Sequence, residues 1–354
     1  MEIFEAMAEQ GHEQLNFFYD QASGLKLIVA VHDTTLGPAT GGTRLWHYDQ
    51  EADAVWDALR LSYGMTLKNA VSGLNFGGSK CVIYGDPKKS PELFHALGRF
   101  ITALGGRVYT GEDVGITAQD VELMAEVCPY IVGREATSGD PSKAAAYGTY
   151  MAVRAVLMEV TGQASVKGRK ILVQGVGNVG LELCRLLAGE GARLVVADIN
   201  PERTDLAAEL YGARVVDGEA LFQEEGDVLS PCALGQVLTA ERVSTLRVRA
   251  IAGSANNQVA TPEVPALLAA RGILYAPDFV VNGGGVINIA DEFLPGGYQP
   301  SRAMAAVARI YERLREVFRV AKEEQITTEQ AAEQVALRRI SAHRPGPYLP
   351  AQGA

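Results

Sequence analysis

Histidine and cysteine are scarce, five and four in 354 residues. His12, His32, His47, His95 and His343 show no metal-pair spacing, and Cys81, Cys128, Cys184 and Cys232 include no C-x-x-C. A zinc knuckle and a disulfide framework are disfavoured on that ground, and no metal is expected. Basic charge is also short: 32 Lys and Arg stand against 42 Asp and Glu, a net charge of −10. That argues against a nucleic-acid or anionic-membrane partner. No apolar run approaches the roughly 20 residues of a membrane span. The opening MEIFEAMAEQGHEQ is acidic and lacks the pattern of a secretory leader. A cytoplasmic protein is the expectation.

The most local scarcity is of charge. From Leu61 to Gly85 the only charged residues are Lys68 and Lys80. Two isolated cations in an apolar, glycine-rich stretch suggest ammonium groups in a partly dry place, where a lysine binds an anion or has its pKa lowered until it acts as a base. Two stems that carry their heads out to water from core-facing strands would leave the same pattern.

Patterning along the chain predicts an α/β protein of two domains. Before residue 139, strands are expected at Lys26–His32, Cys81–Tyr84 and Val108–Thr110, and a helix at Glu51–Tyr63. Ser90-Pro91 starts a helix running to about Leu104, and Thr117 with Asp120 forms a capping box for the next. Thr137–Ser142 reads as a junction, followed by a long helix, Ala145–Val160. Strands then alternate with helices: 170–174, 179–188, 193–197 and 202–211, then short strands at 214–216, 228–230, 250–252 and 273–275. That alternation is the mark of a doubly wound parallel sheet. Amphipathic helices are expected at Arg302–Lys322 and Glu329–Ala342, and a loose tail at Pro345–Ala354. The N-terminal domain is expected to span 1–138 and take back the C-terminal helices from about 325. The second would span 139–324, with a cleft between them.

The second half carries a nucleotide fingerprint. In Lys-Ile-Leu-Val-Gln-Gly175-Val176-Gly177-Asn178-Val179-Gly180 a buried strand feeds a glycine turn and a helix. The first glycine permits the turn, the second lets backbone approach a pyrophosphate, and the third lets helix pack on strand. The phosphates would sit at the helix N-terminus, where unpaired N–H groups and the helix dipole meet them. A second strand ends at Asp198, about 20 residues on, where a carboxylate bonds a ribose 2′-hydroxyl and repels a 2′-phosphate. NAD is therefore expected over NADP, with Arg203 nearby in sequence as the one contrary signal.

A dehydrogenase needs an anchor for the substrate's charge, a proton acceptor, and a geometry that aims one C–H at the nicotinamide. Lys68 and Lys80 can supply the first two. A carboxylate is available in Gly111-Glu112-Asp113-Val114-Gly115, after a strand. These segments, together with Asp33–Arg44 (containing Thr40-Gly41-Gly42), Gly64–Asn69, Gly77–Lys80, Pro231–Gly235, Ala252–Gln258 and Ala276–Asn288, resemble the glutamate/leucine/phenylalanine/valine dehydrogenase family. The resemblance runs in order through nearly the whole chain and leans to the leucine branch.

The resemblance implies reversible oxidative deamination of an L-amino acid to its 2-oxo acid, with NAD reduced and ammonia released. It implies hydride transfer, water attack on the iminium and collapse of the carbinolamine. Lys68 would bind the substrate carboxylate, Lys80 would activate water, and Asp113 would exchange a proton with the substrate nitrogen. Gly41, Gly42, Thr40, Gly111, Val286 and Asn256 would complete the substrate site. Ala233 and Asn257 would join the fingerprint in holding NAD. Glutamate dehydrogenases resemble Gly-Pro-x-Lys-Gly-Gly where this chain has Thr40; burying a second carboxylate without that lysine is costly.

A branched aliphatic side chain is thus expected, with phenylalanine as the alternative because Gly111 and Gly283 leave room. A silent nucleotide-binding regulator is the reading from another class. Two departures are visible: Ser79 stands where a third glycine usually precedes the lysine, expected to crowd a turn there or to add a hydroxyl near Lys80. Ala145 stands where threonine is common. The resemblance also implies a homo-oligomer, octamer or dimer.

Overall fold

The computed structural model describes residues 2–233 and 235–343. Two compact units divide the chain: the first runs to Gly139 and resumes at Ala336, and the second is Asp140–Val335. The return falls inside the helix Thr328–Ala342, later than the position near 325 expected from sequence. The expected tail, Pro345–Ala354, lies outside the described residues.

The first unit is built on β1 (Gln14–Asp20), β2 (Leu25–Asp33), β3 (Ala39–Leu45), β4 (Gly77–Ile83) and β5 (Val108–Gly111). Their order in the sheet is β1-β2-β4-β3-β5, with β1, β2 and β4 antiparallel in turn and β3 parallel to β4 and β5. β4 is central and buried throughout. Its side chains alternate between faces. Cys81 and Ile83 join Leu25, Leu27, Val29 and Val31 in a core with α3 (Pro91–Ala103) and α4 (Ala118–Ala125), where Leu93, Leu97, Val121 and Met124 are buried. Val82 joins Ile28 and Ala30 on the other face, under α1 (Ile3–Gln10) and α2 (Glu51–Val71) through Ala54, Val55, Ala58 and Leu59. Both predicted caps form: Ser90 Oγ accepts from Leu93 N, and Thr117 and Asp120 make the reciprocal box.

Three expectations are corrected here. The helix expected at Glu51–Tyr63 runs on to Val71, because the buried stripe Ala58-Leu59-Ser62 continues through Thr66, Asn69 and Ala70. The strand expected at Cys81 begins at Gly77, so Ser79 lies in a strand and not in a turn. Arg302–Lys322 is two helices, Pro300–Ala308 and Ile310–Glu324, broken where Arg309 N bonds back to Ala306 O.

Behind α2 lies a buried histidine pair, His12 against His32, ring centroids 4.8 Å apart. His12 Nε2 meets Leu59 O at 3.0 Å and therefore carries the proton, while its buried Nδ1 has no partner. Burial holds His12 down at about 4 and also lowers His32. A histidine depressed in the fold costs nothing above its unfolded value of 6.5, and destabilises as pH falls from there through 4. For His12 the loss reaches roughly 3 kcal/mol by pH 4. Urea unfolding at pH 7 and pH 4.5 is expected to show a smaller acid loss in His12→Gln than in the wild type. Equal losses would contradict this.

The second unit opens with α5 (Ser142–Thr161) and holds a wholly parallel sheet: β6 (Lys170–Gln174), β7 (Arg193–Ala197), β8 (Arg214–Val215), β9 (Glu225–Pro231), β10 (Arg247–Ile251) and β11 (Leu274–Tyr275). The order β11-β10-β9-β6-β7-β8 is two three-stranded halves meeting at β6 and β9. That is the doubly wound arrangement, whose switch point lies between those two strands. α6 (Asn178–Gly189) follows β6, and α7 (Pro201–Tyr211) follows β7.

Candidate active site

In the first unit the sheet brings three ionic side chains together. Lys80, on the α2 face of β4, is only 5% exposed, and its Nζ lies 2.7 Å from Asp113 Oδ2. Arg44 Nε, from β3, meets the same oxygen at 3.0 Å. Asp113 follows β5 and reaches this place because Gly42, on the neighbouring strand, has no side chain. A Cβ there would stand 2.7 Å from both Asp113 Cβ and Glu112 O. Burial pushes the Lys80 ammonium below the usual lysine range; Asp113 pulls it back and Arg44 adds to the fall. Burial raises Asp113, but Lys80 and Arg44 outweigh it and hold the carboxyl below its ordinary value. The result is a dry amine with depressed proton affinity beside an ionised carboxylate, a pair able to pass protons to a bound molecule.

Helix α2 covers this face. Asp57, Leu61, Gly64 and Lys68 recur at 4, 3 and 4 residues and share one stripe beside the buried one. Lys68 is half-buried on that stripe. Asn69 is fully buried and donates to Thr40 Oγ1 at 2.9 Å and Gly77 O at 2.6 Å. The Thr40 hydroxyl is thus engaged from α2. Gly41 and Gly42 pair with Thr110 and Gly111 across β3 and β5. Ser79 shares the face of Cys81, opposite Lys80, and its buried Oγ has no partner. The hydroxyl expected near Lys80 therefore points away from it.

In the second unit the fingerprint residues form a cradle after β6. Gly175 has φ +89°, and a Cβ on it would lie 2.5 Å from Ala233 Cβ, so Ala233 of the β9 end closes against this turn. A Cβ on Gly180 would lie 2.0 Å from Gly175 O, which fits the helix-packing part of the third glycine. Asp198 follows β7, and its Oδ2 accepts from Val176 N at 2.8 Å while Oδ1 accepts from Asn200 N at 2.9 Å. Gly177 is the N-cap of α6 and offers no side-chain cap, leaving the first-turn amides of Asn178, Val179 and Gly180 to face an anion. These residues fit a dinucleotide. The Arg203 guanidinium lies over Gly177, 3.1 Å from where a Cβ would be.

Asn256 and Val286, expected at the substrate, belong to the second unit. Asn256 Oδ1 accepts from Asn282 Nδ2 at 2.7 Å, and Val286 lies on the helix Gly284–Ala290. Asn257 adopts φ +51°, and its carbonyl accepts from Gln236 N. Ala145 Cα is 3.0 Å from a Cβ placed on Gly284, so α5 and that helix are in close approach where threonine is common. Among the described residues no group of three or more His, Cys, Asp or Glu is arranged to hold a metal ion, and no helix is long and apolar enough to cross a membrane. Sequence reasoning quoted Arg44 without a role and passed over Asp57. Their only signal was a lone arginine two residues after Gly42.

A dinucleotide-type parallel unit joined to an α/β unit with a buried Lys–Asp pair defines a dehydrogenase of two-domain type. The chain belongs to the Glu/Leu/Phe/Val dehydrogenase family: the family's dimerisation domain matches residues 12–136, and Glutamate/Leucine/Phenylalanine/Valine dehydrogenase matches 138–200 and 196–344. It is accordingly an amino acid dehydrogenase. Leucine dehydrogenase of Geobacillus stearothermophilus is 46% identical over 349 residues, 97% of this chain and 95% of that one. Valine dehydrogenase of Streptomyces coelicolor is 43% identical over 345 residues, 95% and 94% of the two chains. The crystal structure of L-tryptophan dehydrogenase from Nostoc punctiforme superposes with TM-score 0.88 at 39% identity, covering 96% of this chain and 98% of that one.

Proposed function

We propose that this enzyme carries out the NAD-dependent oxidative deamination of branched-chain L-amino acids, L-leucine foremost, in the cytoplasm and as a homo-oligomer. The observation that carries the reaction is the buried Lys80–Asp113 pair at 2.7 Å. The substrate class rests on Thr40, whose hydroxyl is tied to Asn69 and offers no cation to a side-chain carboxylate, and on the leucine and valine dehydrogenases among the relatives. The dimerisation domain matched at 12–136 supports assembly through the first unit.

Bound NAD would accept the hydride from the substrate Cα. Lys68 holds the α-carboxylate. Lys80, as the free amine, takes a proton from water as that water adds to the iminium carbon. Asp113, ionised at rest, first takes a proton from the substrate ammonium so that the neutral amine can give up its hydride, and returns that proton to the nitrogen of the carbinolamine. As the C–N bond breaks and ammonia leaves, the hydroxyl proton passes to the Asp113 carboxylate and the 2-oxo acid remains. In the first unit, Thr40 and Gly111 serve the substrate side chain, with Gly41 and Gly42 beneath the substrate. Gly175 to Gly180, Ala233 and Asn257 hold the dinucleotide. Asp198 takes the ribose hydroxyls with its remaining lone pairs and disfavours a 2′-phosphate.

Following NADH absorbance with a panel of L-amino acids tests the reading. Leucine, isoleucine and valine are expected to be oxidised with kcat/KM at least tenfold above phenylalanine, tryptophan and glutamate. Preference for an aromatic substrate would favour the kinship with the tryptophan enzyme instead. Absence of turnover with every amino acid would end the proposal.

A further inference from the structure

From the side chains around Asp113 we infer that Arg44 is a positioning residue for the deamination, held by Asp57 so that it fixes the orientation of the Asp113 carboxylate. This rests on the role proposed for the Lys80–Asp113 pair. Lys80 Nζ and Arg44 Nε both reach Oδ2 of Asp113, at 2.7 and 3.0 Å, and neither uses Oδ1. Two cations on one oxygen pin the carboxylate plane and make Oδ1 the oxygen with lone pairs to offer a substrate nitrogen. A single lysine contact would leave that plane free to turn.

Arg44 cannot wander either, because its other end is tied. Its Nη1 meets Asp57 Oδ2 at 2.9 Å, and that oxygen also accepts from Tyr48 Oη at 2.6 Å. Asp57 Oδ1 takes Arg60 Nη2 at 2.7 Å. All three groups of the chain Asp113–Arg44–Asp57 are largely buried, with side chains 24, 19 and 14% exposed. The planar fork of arginine spans two carboxylates in fixed geometry, which a point charge on a lysine stem cannot do. Asp57 lies on α2, the helix that also carries Lys68, so one rigid element sets both the expected substrate anchor and the orientation of the proton carrier.

The charged and titratable groups around Asp113 are Lys80 from β4 and Arg44 from β3, with Asp57 and Arg60 from α2 and Tyr48 from the loop after β3 on the far side of Arg44, while Cys81 acts on Lys80 from the opposite face of β4. Arg44 depresses the proton affinity of both Asp113 and Lys80. Its removal therefore raises both.

The test measures kcat and KM for L-leucine against pH in wild type, Arg44→Gln, Arg44→Lys and Asp57→Asn, with NADH fluorescence titration and circular dichroism reporting folding. Arg44→Gln is expected to lose about 100-fold in kcat with KM for leucine within about threefold, and the acid limb of its kcat profile moves to higher pH. Arg44→Lys restores at least about tenfold of the loss and returns the limb toward wild type. Asp57→Asn, which keeps Arg44 but frees it, loses about tenfold in kcat and moves the limb to lower pH. Should Arg44→Gln fail to fold, an unchanged kcat in Asp57→Asn overturns the inference by itself. So does an Arg44→Gln profile with its limb in place, or a lysine variant no better than the glutamine one. A wild type that oxidises no amino acid overturns both this inference and the function on which it rests, whereas active wild type with unmoved limbs overturns only the role of Arg44.

Discussion

Lys80→Ala is expected to lower kcat for leucine oxidation by at least about 10³-fold while NADH binding stays within about twofold. The amine is the one cation of this cluster whose proton affinity is depressed, and its burial means no bulk water replaces it at the same point. Truncation leaves Asp113 with Arg44 as its charged partner, so the carboxylate stays ionised and compensated, and the first unit keeps its fold. The glycine cradle lies on other elements, the turn after β6 and the start of α6. Stopped assays with enzyme at micromolar concentration measure the residual rate, and NADH fluorescence gives the affinity. A residual kcat above about a tenth of wild type would remove Lys80 from the chemistry, since a proton acceptor contributes typically 10²- to 10⁴-fold. Lys68→Ala is expected to behave differently: truncating a group that grips the α-carboxylate in ground and transition states alike raises KM more than it lowers kcat.

How far these residues could be read in advance depended on how local their signals are. The strand–turn–helix was legible because strand, glycine turn and helix are contiguous, and the sheet brings Asp198 to that turn, where it accepts from Val176 N. Lys68 and Lys80 stood out through the charges missing around them, but their elements were misjudged. The helix under Lys68 was expected to stop at Tyr63, where Gly64 and the apolar residues after it blurred the helical period. β3 was missed because Gly41 and Gly42 carry no strand preference; only β4 and β5 on either side make it a strand. Arg44 and Asp57 are 13 residues apart and Arg44 and Asp113 69 apart, so no spacing rule joins them. The dryness expected around Lys80 is there, and Arg44, a cation from β3, adds to the fall in its proton affinity. The partnerless Ser79 hydroxyl has no explanation in the structure.

Gly78→Ala is expected to destabilise the first unit by about 3 kcal/mol, the upper part of the range for overpacked cores, whereas Gly64→Ala stabilises it by up to about 1 kcal/mol. Both glycines belong to the segments that flank the lysines, yet they meet opposite surroundings. A Cβ on Gly78 would stand 2.3 Å from Ser62 O, Thr66 N and Thr66 Oγ1, two of them backbone atoms of α2. Backbone cannot rotate aside as a side chain can, so α2 must lift from β4. That helix is tied down where it touches Gly78: Ser62 bonds His12 and Thr66 bonds His32. Lifting it breaks those contacts and shifts Asp57 and Lys68 with the helix. Gly64 has nothing within 4 Å of its would-be Cβ and sits inside α2, where alanine lowers the entropy of the unfolded chain without a clash. Scanning calorimetry of the two variants reads the contrast as melting shifts of opposite sign. A Gly78→Ala protein melting at or above wild type would show that α2 does not bear on β4 at this point, and the close approach of the helix to the strand would have to be abandoned.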